Sequence, residues 1–408
     1  MKVGILVTSS FVTEVNKFEY FKIPSAKKPW LDYTPKALRF HHQESTWKKP
    51  YDCVTSDGAI LSYLLWKCNN AANDVLCRDI QFEAIFPRDL TIASSKKYGI
   101  IFCPMVDILE YATIAPSYER KRFNRVLSNL KNIFPSYSVQ KLINDKGAYY
   151  NFFQRQGIPM IDTLVFRPEH VKTSRVLKQT INKIRHRARK NKWTQIVVKP
   201  NTGQEGIRFS VLPENVDDDR LANALEDILQ SYSGVLVQKY IKGFDKKTME
   251  HRIYTIDEKY AYTVLTQRTV DTPRLVVEEG GNIRSPFWKA AKALAAKACR
   301  LMPKTKINGI KLPNMLMRSD IGYTATASAK SKTWKPELFL SEQEFVPSLY
   351  ARECPKGVHP EMLVGEAILR ILHVFLTRKG CTQSLPKHAL SSSYSSSRRK
   401  TQRRLRSI

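Results

Sequence analysis

Apolar and polar positions alternate on a short scale through the first 125 residues of the chain. Val3 to Val7 is a brief apolar run that reads as a first β-strand. In Ile80–Ile85, Ile80, Phe82 and Ala84 alternate with Gln81 and Glu83, the period of two that marks a half-buried strand. Tyr98–Cys103 is a continuous apolar run of the kind found in parallel sheets. Between them, Asp57 to Cys68 reads as a helix opening at Ser56 or Asp57. Strands alternating with helices predict an α/β domain over residues 1–125.

A basic helical stretch starts at Tyr118, and a short helix is expected from about Ser138 through Phe153. Gly157-Ile158-Pro159 ends it, and Thr163–Phe166 resumes as a strand. Leu177, Ile181, Ile184 and Ala188 recur at helical spacing inside Lys172–Lys192, which carries nine Lys/Arg and no acid. That segment is an amphipathic helix whose outer face is either solvated or in contact with an anion. Strands are expected at Gln195–Lys199, Gly234–Tyr240 and His251–Asp257, then a helix over Phe287–Met302. Two more strands, Asn314–Ile321 and Leu338–Phe345, precede a closing helix over Pro360–Leu376.

Composition narrows the function class. A formal charge of +30 favours acidic partners: nucleotides, phosphorylated substrates, nucleic acid or an anionic surface. Seven dispersed cysteines with no CxxC pair predict reduced thiols inside a cell. The opening apolar run is too short for a signal-peptide core. Ile368–Leu376 is interrupted by Arg370 and His373 and falls well short of the roughly 20 residues of a membrane helix. These readings predict no membrane span and an intracellular, cytoplasmic protein. The segment 377–408 is expected to be a disordered basic tail, since Lys387–Ile408 holds Ser-rich runs and seven Lys/Arg without an acid. Such a tail is either a solvated end or a contact for nucleic acid or an anionic surface, and it fits a nuclear location as well.

Three segments carry candidate chemistry. Val197-Val198-Lys199-Pro200 leads into Asn201-Thr202-Gly203-Gln204-Glu205-Gly206. A lysine leaving a buried strand holds its ammonium at a fixed point, and the glycines let backbone N–H groups approach the same anion. This is not the GxxxxGK[ST] phosphate loop. Val235 to Ile241 is a strand whose edge, with Gln238, can read an adenine ring. Arg318-Ser319-Asp320 and Glu342-Gln343-Glu344 lie on two late strands. Residues i and i+2 share a strand face, so three carboxylates and a guanidinium can gather on one surface. Hard oxygen ligands of that kind suit Mg²⁺.

The ordered series of Lys146, Lys199 with its glycines, Gln238–Ile241, Arg318/Asp320 and Glu342-x-Glu344 resembles the ATP-grasp superfamily over roughly Ser138 to Leu376. That group includes D-alanine–D-alanine ligase, glutathione synthetase, biotin carboxylase and the ribosomal-protein glutamate ligases. The resemblance implies an ATP-grasp domain over 126–376, with an α+β lid at about 168–234, behind an N-terminal α/β pre-ATP-grasp-like domain. It implies ATP and Mg²⁺ (or Mn²⁺) as cofactors. Lys146 and Lys199 would contact phosphates, and Gly203 and Gly206 would lie in the covering loop. Gln238 and the backbone of Lys239 and Ile241 would meet adenine. Glu250, or failing that Asp245, would bind ribose. Arg252 and Arg268 would hold substrate or the transferred phosphate, and Arg318 the γ-phosphate. Asp320, Glu342 and Glu344 would be metal ligands, although the family usually ends Glu-x-Asn and Glu344 stands in the Asn position. The implied reaction is ATP-dependent joining of a carboxylate, on an acidic small molecule or peptide, to an amine or thiol. A kinase of a small phosphorylated substrate and a non-catalytic nucleotide-binding protein with nucleic-acid affinity are the alternatives.

Overall fold

A computed structural model describes residues 1–7, 19–43, 48–71, 75–106, 109, 117–202, 208–241, 250–268, 273–276, 286–324, 337–345, 347–351, 354 and 357–378. The expected loop glycines Gly203 and Gly206, Asp245, and nearly all of the tail lie outside these residues. No helix among the described residues is long and apolar enough to cross a membrane.

The chain opens with β1 (Lys2–Leu6), which pairs in parallel with β5 (Gln81–Ile85) and β6 (Ile100–Phe102); β6 in turn pairs with β7 (Ile133–Phe134). The resulting sheet has the order β5-β1-β6-β7. Between β1 and β5 lie a small antiparallel sheet of β2 (Tyr20–Ile23), β3 (Phe40–His42) and β4 (Tyr51–Thr55), and the helix α1 (Ser56–Asn70). The small sheet carries little of the regular alternation that betrays a strand. It is held by residues such as Phe21 and Val54, buried against α1.

Helix α2 (Ser117–Asn129) follows. The single helix expected after Ser138 is two, α3 (Tyr137–Asn144) and α4 (Lys146–Arg155). Asp145 breaks them apart: its backbone is extended and its carboxylate accepts the N–H of Ala148 at 3.1 Å, capping α4. The other oxygen is paired to Arg167 at 2.6 Å. An N-cap of this kind satisfies one of the N–H groups that a helix start leaves open. It also places Lys146 at the first position of α4.

A second sheet, β10-β9-β11-β8, is antiparallel throughout. It comprises β8 (Thr163–Phe166), β9 (Gln195–Pro200), β10 (Ser210–Pro213) and β11 (Val235–Lys239). The basic helix α5 (Ser174–Lys190) and α6 (Asp218–Leu229) pack on it. Ile181, Ile184 and Ala188 of α5, and Leu221, Leu225 and Ile228 of α6, form one apolar core with the strands. Asp217 caps α6, which begins Asp217-Asp218-Asp219.

The third sheet has the order β14-β13-β12-β15-β16, again antiparallel: β12 (Glu250–Ile256), β13 (Lys259–Arg268), β14 (Pro273–Val276), β15 (Leu316–Thr324) and β16 (Glu337–Glu344). Strand β13 is an addition to the strands read from the sequence. It returns from β12 through Asp257 and Glu258, at φ 53° and 60°, the left-handed pair of a two-residue hairpin turn. Such turns favour Asn and Gly, so Asp-Glu conceals the hairpin.

One face of this sheet packs on α4 and α7 (Pro286–Leu301) through Tyr150, Phe153, Ala295, Met317 and Leu340. From the other, Tyr254, Ile256, Tyr262 and Val264 join α1 and the closing helix α8 (Pro360–Arg378) in a core shared with the first sheet. At the α1–α8 crossing a Cβ on Gly365 would lie 2.4 Å from the Tyr63 ring, so only glycine permits that approach. Burying a side chain such as Leu372 or Phe375 there contributes about 1.5–3 kcal/mol.

Candidate nucleotide and metal site

The two strands expected to carry the acids are neighbours in the third sheet. Arg318 lies opposite Glu344 and Asp320 opposite Glu342. Alternation puts all four side chains on one face. Ser319 and Gln343 face the other way, bonded to each other at 2.9 Å. Carboxylate oxygens of Asp320, Glu342 and Glu344 lie within 4.8 Å of one another. Oxygens on one Mg²⁺ stand at most about 4.2 Å apart, twice a bond of about 2.1 Å, so a small side-chain rotation closes the set around the ion. The donor set of hard anionic oxygens fits magnesium or manganese.

Cations converge on the same spot. Arg318 donates to both oxygens of Asp320, at 2.7 and 2.8 Å, and to Glu344 at 2.6 Å. Arg252 on β12 lies opposite Asp320, 3.9 Å from its carboxylate, and its guanidinium also donates to Glu250 and to the hydroxyl of Tyr350. Lys146, at the start of α4, sits 2.8 Å from Glu342. Its backbone N–H donates at 2.8 Å to the carbonyl of Asn201, two residues past Lys199, so the first two expected lysines arrive together. The Lys199 ammonium stands 5.9 Å from the centre of the Tyr150 ring.

Electrostatics separates the two glutamates. Burial pushes Glu342 up, but the ammonium groups of Lys146 and then Lys199 outweigh it and hold the carboxyl at about 2. Burial lifts Glu344 to about 8; Arg318 opposes the rise, and the charges of Glu342 and Asp320 add to it. Of the two glutamates, Glu344 thus binds its proton the more tightly.

Glu250 faces this cluster. One of its oxygens accepts from Ser341 at 2.7 Å, and the other from Arg252 and Thr266 at 3.4 Å each. Gln238, Lys239 and Ile241 stand elsewhere, at the end of β11 on the second sheet. Register links them to the lysines: Leu236 pairs Lys199, and Gln238 pairs Val197. The Gln238 amide donates to Thr163 at 2.7 Å, and the N–H of Lys239 is taken by the carbonyl of Asp162. Arg268 ends β13, with its backbone opposite Pro273.

Two solved structures resemble the chain along almost its whole length. D-cycloserine synthetase DcsG matches with a TM-score of 0.54 at 16% identity, covering 91% of this chain and 100% of that one. D-alanyl-alanine synthetase A from Vibrio cholerae O1 biovar eltor str. N16961 matches with a TM-score of 0.51 at 11% identity, covering 92% and 98%. The chain has the ATP-grasp fold. No protein-family model matches the sequence, and no curated protein matches it. The likeness is one of fold; the chemistry rests on the residues just described.

Within the ATP-grasp fold, several neighbours of these groups escaped the sequence reading. Tyr150 donates to the carbonyl of Ser341 at 2.6 Å, pinning β16 beside the irregularity in its pairing with β15. Tyr350 holds Arg252 from a left-handed backbone position, φ 50°. A usable signal for the first was present: tyrosines three and four positions after Lys146 share its helix face. Nothing in the sequence around Tyr350 announces a strained turn.

Proposed function

We propose that the protein is an ATP- and Mg²⁺-dependent ligase that activates a carboxylate as an acylphosphate for attack by an amine or thiol. The observation that carries this reading is the meeting of Lys146, Arg252 and Arg318 with the trio Asp320, Glu342 and Glu344 on one sheet face. Outside a polyanion-and-metal site, so many buried charges would be a poor use of stability.

In this reading Asp320, Glu342 and Glu344 hold the magnesium, which, when bound, neutralises charge on the transferring phosphoryl group. Lys146 and Lys199 hold phosphate oxygens. The strand end at Gln238, Lys239 and Ile241 takes the adenine, with Glu250 near the sugar. Arg318, with Arg252 and Arg268, orients the γ-phosphate and the acceptor acid. The acceptor carboxylate attacks the γ-phosphorus and ADP departs; the amine nitrogen then attacks the acyl carbon, and inorganic phosphate departs. The chain supplies position and charge rather than a nucleophile of its own. The lid, at about 168–234, closes over the nucleotide.

The test is a screen of carboxylate and amine pairs for ADP formation. Release of ADP and phosphate that needs both partners supports the ligase. Label retained in a stable phosphorylated product would instead make the protein a kinase.

A further inference from the structure

The hydroxyl of Tyr149 is buried and has no hydrogen-bond partner among the described residues. Buried hydroxyls are nearly always paired, because leaving one bare forfeits the water it had in the unfolded chain. The residue beside it sharpens the anomaly. Tyr150, equally buried and 5.2 Å away ring to ring, donates to the Ser341 carbonyl. Only one of two adjacent tyrosines is satisfied by the protein.

Its position says what the missing partner is. Tyr149 follows Lys146 by three residues on α4, so the two share a helix face, and the Lys146 ammonium rests on Glu342. The ring is buried in the core that includes Leu340 and Phe345, which flank the glutamates of β16. The carboxylates of Glu342, Glu344 and Asp320 are all near enough for their charges to act on this phenol, adding to the effect of burial, which holds it well above the usual tyrosine range. Magnesium bound by carboxylates commonly keeps several waters, and those waters need acceptors.

We infer that the Tyr149 hydroxyl is a positioning group that accepts a hydrogen bond from a water in the shell of the metal held by Asp320, Glu342 and Glu344. The inference rests on the reading of that trio as the metal site. Tyr149 touches neither nucleotide nor acceptor; it fixes one outer-shell water and so the orientation of the ion.

The experiment compares the full-length protein with Tyr149→Phe and Tyr150→Phe in two measurements: thermal unfolding without metal, and calorimetric titration of Mn²⁺ in the presence of a non-hydrolysable ATP analogue. Tyr149→Phe is expected to melt higher than wild type without metal, since the lost hydroxyl had no partner. It should also need about tenfold more Mn²⁺ for half-saturation, the equivalent of one hydrogen bond of about 1.4 kcal/mol. Tyr150→Phe is expected to melt lower. A Tyr149→Phe protein that melts higher but binds Mn²⁺ like wild type overturns the inference and leaves an ordinary buried hydroxyl. One that melts lower, or does not fold, overturns it too, because the hydroxyl then has a structural partner. Absence of Mn²⁺ binding by wild type would instead remove the metal reading itself.

Discussion

The Lys146 ammonium lies 2.8 Å from the Glu342 carboxylate, so a group proposed to hold phosphate and a group proposed to hold metal are bonded to each other. The same holds one strand over, where Arg318 occupies both oxygens of Asp320. The charges of the cluster are paired within the protein. Nucleotide alone would have to pull Lys146 from Glu342 and leave a bare carboxylate; metal alone would strand the ammonium. Arriving together, they exchange one set of ion pairs for another.

Binding of ATP and Mg²⁺ is therefore expected to be strongly coupled. ATP with a chelator, or Mg²⁺ without nucleotide, should shift the melting temperature little, while the two together shift it by several degrees. A coupling of about 1–3 kcal/mol, or roughly 5–150-fold in affinity, is the usual size for linked sites. Titrating ATP at several fixed Mg²⁺ concentrations measures it; affinity for ATP independent of Mg²⁺ would contradict the exchange.

Lys199→Ala and Asp320→Asn should each cut ATP turnover by about a hundredfold or more, the scale of removing one preorganised charge from a phosphoryl-transfer site. Their stabilities should differ. Asp320 is buried and bound through both oxygens by Arg318, so its loss leaves a guanidinium only partly compensated, at a cost of about 3–5 kcal/mol. Lys199 is half-buried and is the second of the two ammonium groups that hold Glu342 ionised, so its removal should lower the melting temperature less than the loss of Asp320 does. Turnover assays paired with thermal melts separate the two effects.

Much of this site could be read from the sequence, because its logic is local: i and i+2 on a strand fixed the faces of Arg318, Asp320, Glu342 and Glu344, and a lysine ending an apolar strand marked Lys199. What stayed hidden depends on chain segments far apart or on turn chemistry without its usual residues. The β12–β13 hairpin turns on Asp257-Glu258 in place of Asn-Gly. The capping of α4 by Asp145 reads from sequence only once Arg167, 22 residues on, is known to hold it. The sharing of one core by α1 and α8, some 300 residues apart, follows from no periodicity at all.

The two glutamates should respond oppositely to neutralisation. Glu344, lifted to about 8, carries its proton at neutral pH, whereas Glu342, held at about 2, is ionised. A carboxyl whose folded value exceeds its unfolded one gives stability that is full below about 4.5 and is lost as pH rises through 8. Glu344→Gln removes that dependence, so its melting temperature should rise relative to wild type between pH 6 and 9. Glu342→Gln removes a charge that favours the fold above about 4.5 and should lower the melting temperature throughout that range. Melts across pH for both variants decide it; parallel curves for wild type and Glu344→Gln would mean that Glu344 ionises normally.

Asp162 ties the basic helix to the proposed nucleotide-binding edge. Its carboxylate accepts from Arg187 at 2.6 and 2.9 Å, from the Trp193 indole at 3.0 Å and from the Asn191 amide, while its carbonyl accepts the N–H of Lys239. One residue thus fastens the C-terminal end of α5 to the end of β11. Asp162→Ala should strip Arg187, Asn191 and Trp193 of their acceptor, leaving the carbonyl that holds Lys239 in place, and cost about 1–3 kcal/mol, concentrated at the C-terminal end of α5 rather than spread over the chain. Hydrogen exchange should rise at the C-terminal end of α5 and stay unchanged in β12 and β15. ATP affinity should change little, because the carbonyl of residue 162 still accepts the N–H of Lys239 and because Lys146, Asp320 and Glu342 are untouched. Unchanged exchange at the end of α5 would place the anchoring role elsewhere.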